Sequence, residues 1–341
     1  MTNRATWVTV ATAGFTAVVV AGAVLLAAGA RAGDSPIDLT AGPAPATASP
    51  APERATLIAA DERGRIVELS ADDGTQVGVL ADGAITGGSV GSLTVAGDRR
   101  TVFFADHDPL VGLPCDSTVV ALGLADGRTT TIGPGFAPAL SPDGGRLAYV
   151  TTDGDSSGCA YAATVRDLAT GAETAWAIDS GWADHYGICS LTWTPGASAL
   201  AAQLCHGADT VLHRVPLDGA GTIGDATYLG PGDPERSWTA AAPGTGAGTV
   251  VVAERCCLST SPLEPSHRLV ILDVDSGEVA GVLGTLPEAI ESVAHLGAGP
   301  DGDLVLVAFT FTDEGSTERQ LLRWTDGVTR LLSRGVVAAA W

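Results

Sequence analysis

The chain of 341 residues contains no lysine: its 18 basic residues are all arginine, set against 39 acidic residues and a formal net charge of −21. That absence removes Schiff-base and lysine general-base chemistry at the outset. So acidic a chain also lacks the basic footprint that nucleic acid and anionic lipid surfaces demand of a partner. Aromatic residues are scarce, at 5%. The six cysteines include no C-x-x-C pair, which speaks against redox and tetrahedral metal chemistry. Long helical periodicity is missing beyond residue 54. What remains is 45% apolar content and 44 glycines, enough for a packed core with many turns.

One long apolar run stands at the amino terminus. Residues 6–30 carry no charge and are rich in Ala, Val and Leu. At 1.5 Å per residue such a stretch crosses a hydrocarbon core of ~30 Å. Arg4 precedes it, so the positive-inside rule places residues 1–5 in the cytoplasm and the remainder outside. The alternative is a signal peptide cleaved at Ala32, since Ala30-Arg31-Ala32 has the small-x-small form of a cleavage site. No cysteine follows the run, which excludes a lipoprotein anchor. Either reading exports the rest of the chain. Residues 31–54, with Ala-Gly-Pro-Ala-Pro-Ala-Thr-Ala-Ser-Pro-Ala-Pro over 41–52, read as an extended, semi-rigid tether.

From residue 55 the pattern becomes short strand-like runs between turn dipeptides, for example Arg65–Leu69, Thr101–Ala105, Arg146–Val150, Thr249–Ala253 and Arg268–Leu272. These repeat. Turns of one kind fall at Asp73-Gly74, Asp126-Gly127, Thr170-Gly171, Asp218-Gly219, Ser276-Gly277 and Asp326-Gly327, spaced 53, 44, 48, 58 and 50 residues apart. Six units of about 48 residues fit four-stranded antiparallel propeller blades. A seventh short blade inside one long unit is the alternative. The first unit supplies three strands only, and the chain ends in Val336-Val-Ala-Ala-Ala-Trp341, which reads as an opening strand with nothing after it. That strand is expected to sit innermost in the first blade and close the ring, removing an exposed edge.

Residues 140–150, Leu-Ser-Pro-Asp-Gly-Gly-Arg-Leu-Ala-Tyr-Val, resemble the WD40-like repeat of TolB-type six-bladed propellers. Gly299-Pro-Asp-Gly-Asp-Leu-Val-Leu is a degraded copy, and Asp273-Val-Asp-Ser-Gly-Glu resembles the family's outer-strand turn. The resemblance covers residues 55–341 and implies an all-β fold. It also implies a binding or scaffold module. Some members cap a peptidase, but no room remains here for a catalytic domain, so that role is expected to be out of reach. The Gly-, Ala- and Arg-rich, lysine-free composition resembles actinobacterial cell-surface proteins.

With strands lettered a to d from the axis outward, the b–c and d–a loops share one face, and the long loops gather there. All six cysteines map to that face. Blade geometry points to Cys115–Cys159, Cys189–Cys205 and a vicinal Cys256–Cys257 bond, one of 15 connectivities open to six cysteines. The same face carries the candidate ligand-binding residues Asp106, His107, Asp108, Asp184, His185, Tyr186, His206 and His267. His213 and His295 fall inside strands and read as structural. Asp153, Asp155 and Ser157 resemble the start of a calcium loop, but position twelve is Thr164 where a bidentate Glu is required. Gly87-Gly-Ser-Val-Gly91 matches a nucleophile elbow by letter, without the α/β context that motif needs. Ser70-Ala-Asp-Asp-Gly74 resembles a sialidase Asp-box, itself a structural device.

The sequence therefore leads to an exported, membrane-tethered propeller without a cofactor. Its expected role is a non-catalytic binding or scaffold module for an envelope protein, peptide or glycan. The alternative is a propeller hydrolase or lactonase holding Ca2+ or another divalent metal on the His and Asp loops.

Overall fold

The computed structural model describes residues 55–341 apart from 86–91, 107–116, 153–160, 184–185, 207–208, 219–220, 225–226, 231–235, 257–266, 300 and 312–316. Among the described residues no helix is long and apolar enough to cross a membrane. The segment 6–30 lies outside them.

The short apolar runs become strands because they alternate side chains between two neighbouring sheets, and Gly-containing turns end each run. Strands β1 (Thr56–Asp61), β2 (Ile66–Ser70) and β3 (Gln76–Ala81) build the first blade. The second holds β4 (Leu93–Val95), β5 (Thr101–Asp106), β6 (Thr118–Gly123) and β7 (Thr129–Pro134). The third holds β8 (Phe136–Leu140), β9 (Arg146–Thr152), β10 (Tyr161–Asp167) and β11 (Glu173–Ile178). A single helical turn, α1 (Ser180–Ala183), leads to β12 (Gly187–Trp193), β13 (Leu200–His206) and β14 (Asp209–Val215) of the fourth, followed by the short β15 (Thr222–Ile223). Blade five is β16 (Arg236–Pro243), β17 (Thr249–Cys256), β18 (His267–Asp273) and β19 (Val279–Thr285). Blade six is β20 (Ile290–Ala298), β21 (Leu304–Phe311), β22 (Thr317–Thr325) and β23 (Val328–Arg334), after which β24 (Val336–Ala340) ends the chain.

β24 pairs antiparallel with β1, Ile58 opposite Ala340 and Ala60 opposite Ala338, giving a first sheet ordered β24-β1-β2-β3. The carboxyl-terminal strand thus closes the ring, as the repeat register implies. Six apolar clusters then sit one at each junction between blades. Ile58 and Ala60 meet Phe104 and Leu122 between blades one and two. Phe103 meets Leu147 and Tyr149 between two and three. Val305, Val307 and Leu321 meet Leu57 and Leu69 between six and one. Every blade thus packs on two neighbours through its inner strands, while the outermost strands β3, β19 and β23 leave residues such as Val77, Val282 and Val328 exposed.

Two blades depart from the four-stranded expectation. Blade four has three strands, and blade three has five, because β15 joins its outer edge in parallel with β11 through Ala177–Thr222 and Ile178–Ile223. Burial decides this. Ile223 is fully buried and packs in one cluster with Trp176 and Ile178, and the Asp179 N–H donates to the Ile223 carbonyl at 2.7 Å. The chain after β14 gains more by covering blade three than by completing its own sheet.

The Ser-Pro-Asp-Gly turn is built as a hydrogen-bonded unit. The Ser141 hydroxyl donates to Asp143, whose Oδ1 also accepts from the Gly145 N–H at 3.1 Å, and Ser141 Oγ accepts from the Arg146 N–H at 2.9 Å. The Ser141 bond, more than any other cause, holds the Asp143 carboxyl below its ordinary range. Arg146 leaves this turn for blade four. Its guanidinium lies 4.7 Å from the Trp193 ring centre and donates to the Ala197 carbonyl at 2.7 Å. The motif is therefore a tie between blades as well as a turn.

Candidate functional site

The opening strands β4, β8, β12, β16 and β20, with β24, surround the axis and enclose a cavity of about 380 Å³. Ser92, Thr94, Ser190, Thr192, Gln203, Thr210 and Thr239 supply its polar wall, and Trp193, Pro243 and Trp341 its bulk. No Asp, Glu or Arg occurs among the described residues lining it, in a chain of net charge −21. The one imidazole in the wall, His295, is kept neutral: burial lowers its pKa, and its Nε2–H donates to the Ala339 carbonyl at 2.8 Å. The channel is thus electrically bare and rich in hydroxyls and backbone.

Its polar side chains are set by cross-strand and cross-blade bonds. Gln203, buried on β13, accepts from the Ser190 hydroxyl at 2.8 Å and donates to the Trp238 and Thr239 carbonyls at 3.0 and 2.9 Å. The Thr192 hydroxyl donates to the Ala241 carbonyl at 3.1 Å. Ser92 Oγ and Trp341 Nε1, both buried, find no hydrogen-bond partner among the described residues. Sequence reasoning missed this channel because inner-strand positions read as core. The legible signal was the polar interruption Gln203 within Leu200-Ala-Ala-Gln-Leu.

The loop-rich face gathers fewer of the expected residues. His107, Asp108, Asp184 and His185 lie outside the described residues, as do Asp153, Asp155 and Ser157. Asp106 ends β5 in blade two, half-buried. Tyr186 and His206 do come together, ring centres 5.7 Å apart. They extend a cluster in which Trp182 lies 5.1 Å from Tyr186, 4.7 Å from His213 and 5.7 Å from Tyr228. His213 is fully buried and bonds Gly224 O and Thr227 Oγ1, so the cluster braces β14 against the strand-exchange segment. Burial, and secondarily the neighbouring Tyr186, raises the Tyr228 hydroxyl above its ordinary range.

His267 needs correction as a loop ligand. It is the first residue of β18, 1% exposed, and burial pushes its pKa down to about 4, helped by Arg255 and opposed by a hydrogen bond to the Ile290 backbone. Its ring belongs to the interior of blade five. Nearby, Glu254 is equally buried and held by Arg236 and Arg268. Among the described residues no group of three His, Cys, Asp or Glu side chains converges to hold a metal ion.

Cys189 and Cys205 form a disulfide with Cα atoms 6.0 Å apart, joining the start of β12 to the end of β13 and lining the channel. Cys189 occupies a bulge, where the register shifts between Ile188 and Ser190. Cys115, Cys159 and Cys257, and the Cys256 side chain, lie outside the described residues.

No protein-family model matches the chain, and no curated protein matches it. Similarity appears among solved structures. The tricorn protease shares 12% identity and a TM-score of 0.46, covering 82% of this chain and 29% of its own. A puromycin-hydrolyzing peptidase of Mycobacterium tuberculosis gives 18% and 0.46, covering 81% and 42%. Hydrazine synthase of Kuenenia stuttgartiensis gives 12% and 0.49, covering 88% and 93%. This chain therefore spans well under half of the two peptidases. The neighbours accord with the all-β six-bladed fold, which stands on the ring of six sheets. They also correct one expectation: the similar propellers include those of peptidases, so the reading as a non-catalytic binding or scaffold module is withdrawn.

Proposed function

We propose that the propeller takes peptide segments into its axial channel and serves peptide hydrolysis. One observation carries the reading: a channel of about 380 Å³ with no charged side chain among its described lining residues. An extended backbone is neutral and dense in donors and acceptors, so a bare wall of hydroxyls, carbonyls and small apolar groups suits it at little desolvation cost. Peptidases among the structurally similar proteins agree with this choice of ligand. The Ser141-Pro-Asp-Gly144 turn supports kinship with TolB-type propellers, and the apolar segment 6–30 supports a membrane tether with the propeller outside the cytoplasm.

The test uses the full chain with quenched-fluorescent peptides of Ala, Ser, Thr and Gly, following binding by anisotropy and products by mass spectrometry. Ala294 is exposed and lines the channel, so Ala294→Trp obstructs it without disturbing the core. Wild type is expected to bind these peptides and the variant to bind none. Binding without cleavage assigns the hydrolytic groups to a partner and keeps the channel as its entry. Failure of wild type to bind any peptide between pH 5 and 8 overturns the reading.

A further inference from the structure

A second cavity, also about 380 Å³, opens between blades five and six on the short-turn side. Pro243 and Ala298 wall both this cleft and the axial channel, so the two adjoin. Trp341, which lines the channel, packs against the cleft residue Gly299, where a Cβ would lie 2.6 Å from its ring. Only glycine lets that ring pack there.

The cleft differs from the channel in chemistry. Val251, Ile271, Leu283 and Leu304 make an apolar floor, with Val251 and Leu304 fully buried. Among the described residues lining it, one carboxylate, Asp301, stands at its exposed rim. Two residues along, Asp303 is taken by Arg323, whereas among the described residues no guanidinium pairs with Asp301. An apolar slot ending in one carboxylate at the water boundary fits a side chain with an aliphatic stem and a cationic tip. Such a chain buries its methylenes and keeps its charge solvated beside the carboxylate.

We propose that this cleft is a specificity pocket for an arginine or lysine side chain of a peptide lying in the axial channel. The proposal rests on the channel reading above and adds the residue that the peptide must carry. The net charge of −21 assists by drawing cationic segments toward the ring.

The test measures anisotropy of two labelled decapeptides on the full chain. Both are Ala/Ser/Thr/Gly sequences, one with a central arginine and the other with citrulline, its neutral isostere. Wild type is expected to favour the arginine peptide about fivefold, as for a partly solvated charged pair. Asp301→Asn should erase the preference while leaving citrulline-peptide binding unchanged. Thr245→Trp, an exposed lip position, should close the cleft and erase it too. If both peptides bind but Asp301→Asn leaves their ratio unchanged, the pocket is refuted and the channel reading survives. If neither peptide binds wild type, both are refuted.

Discussion

His267 makes the propeller acid-sensitive in a window that opens well above the ordinary carboxylate range. The ring is neutral in the folded state down to about pH 4, against an ordinary value of 6.5 in the unfolded chain. Above pH 6.5 neither state binds the proton and nothing is lost. Between 6.5 and 4 the unfolded chain takes up a proton that the folded chain refuses, so stability falls as pH falls. Each unit of that window is worth up to about 1.4 kcal/mol, which gives roughly 2.7 kcal/mol at pH 4.5. The ring lies at a strand end, where screening trims the effect to about 2 kcal/mol. Asp61 and Asp143, whose pKa values are lowered, act with the same sign below about pH 4, so they leave this window clear. Burial of His295 works in the same direction, and relief of charge repulsion in the opposite one, but both are common to wild type and variant. The perturbation is His267→Gln, whose amide can still donate to the Ile290 backbone. Urea unfolding followed by tryptophan fluorescence at pH 7.0 and 4.5 gives a double difference. The variant is expected to lose about 2 kcal/mol less than wild type on acidification. A double difference within about 0.5 kcal/mol, the ordinary additivity error, refutes the argument.

Two further outcomes follow from the fold. Gly74→Ala places a methyl at φ +71°, 2.0 Å from the Leu332 carbonyl oxygen of blade six, whereas Gly127→Ala at φ +67° meets nothing within 4 Å. Gly127→Ala should cost roughly 1–2 kcal/mol from backbone strain alone, and Gly74→Ala clearly more, in paired thermal melts; equal costs would remove the inter-blade clash from the account. Replacing both Cys189 and Cys205 by serine releases a link of sequence separation 16. It should cost about 3 kcal/mol in urea titrations and bring no change in the thiol count of the folded protein.

Much of the fold was written locally. Among the described residues the Asp-Gly, Thr-Gly and Ser-Gly turns need a left-handed residue, and Gly74, Gly127, Gly171, Gly277 and Gly327 supply it at positive φ, so the blade period could be counted by eye. The terminal strand was recognisable because an opening strand without a sheet must find one, and the three-stranded first unit lacked its innermost member. Pairing of Cys189 with Cys205 followed from two antiparallel neighbours carrying cysteine at the same end. His213 and His295 were legible as interior because they interrupt apolar strands. His267 was not, since it stands at the boundary between a loop and a strand, and only burial decides such a position.

The sequence by itself determined the all-β repeat, the closure and the acidic, lysine-free surface, because turns, period and charge are local properties of the chain. Only the tertiary structure decided where β15 goes, since Ile223 must find Trp176 and Ile178 across a blade junction. Only it could reveal the channel, whose walls come from strands of all six blades spread between Ser92 and Trp341. No motif in those strands marks the channel. Their bare surface exists because the ring brings their inner edges to one axis, and a property of that kind has no address along the chain.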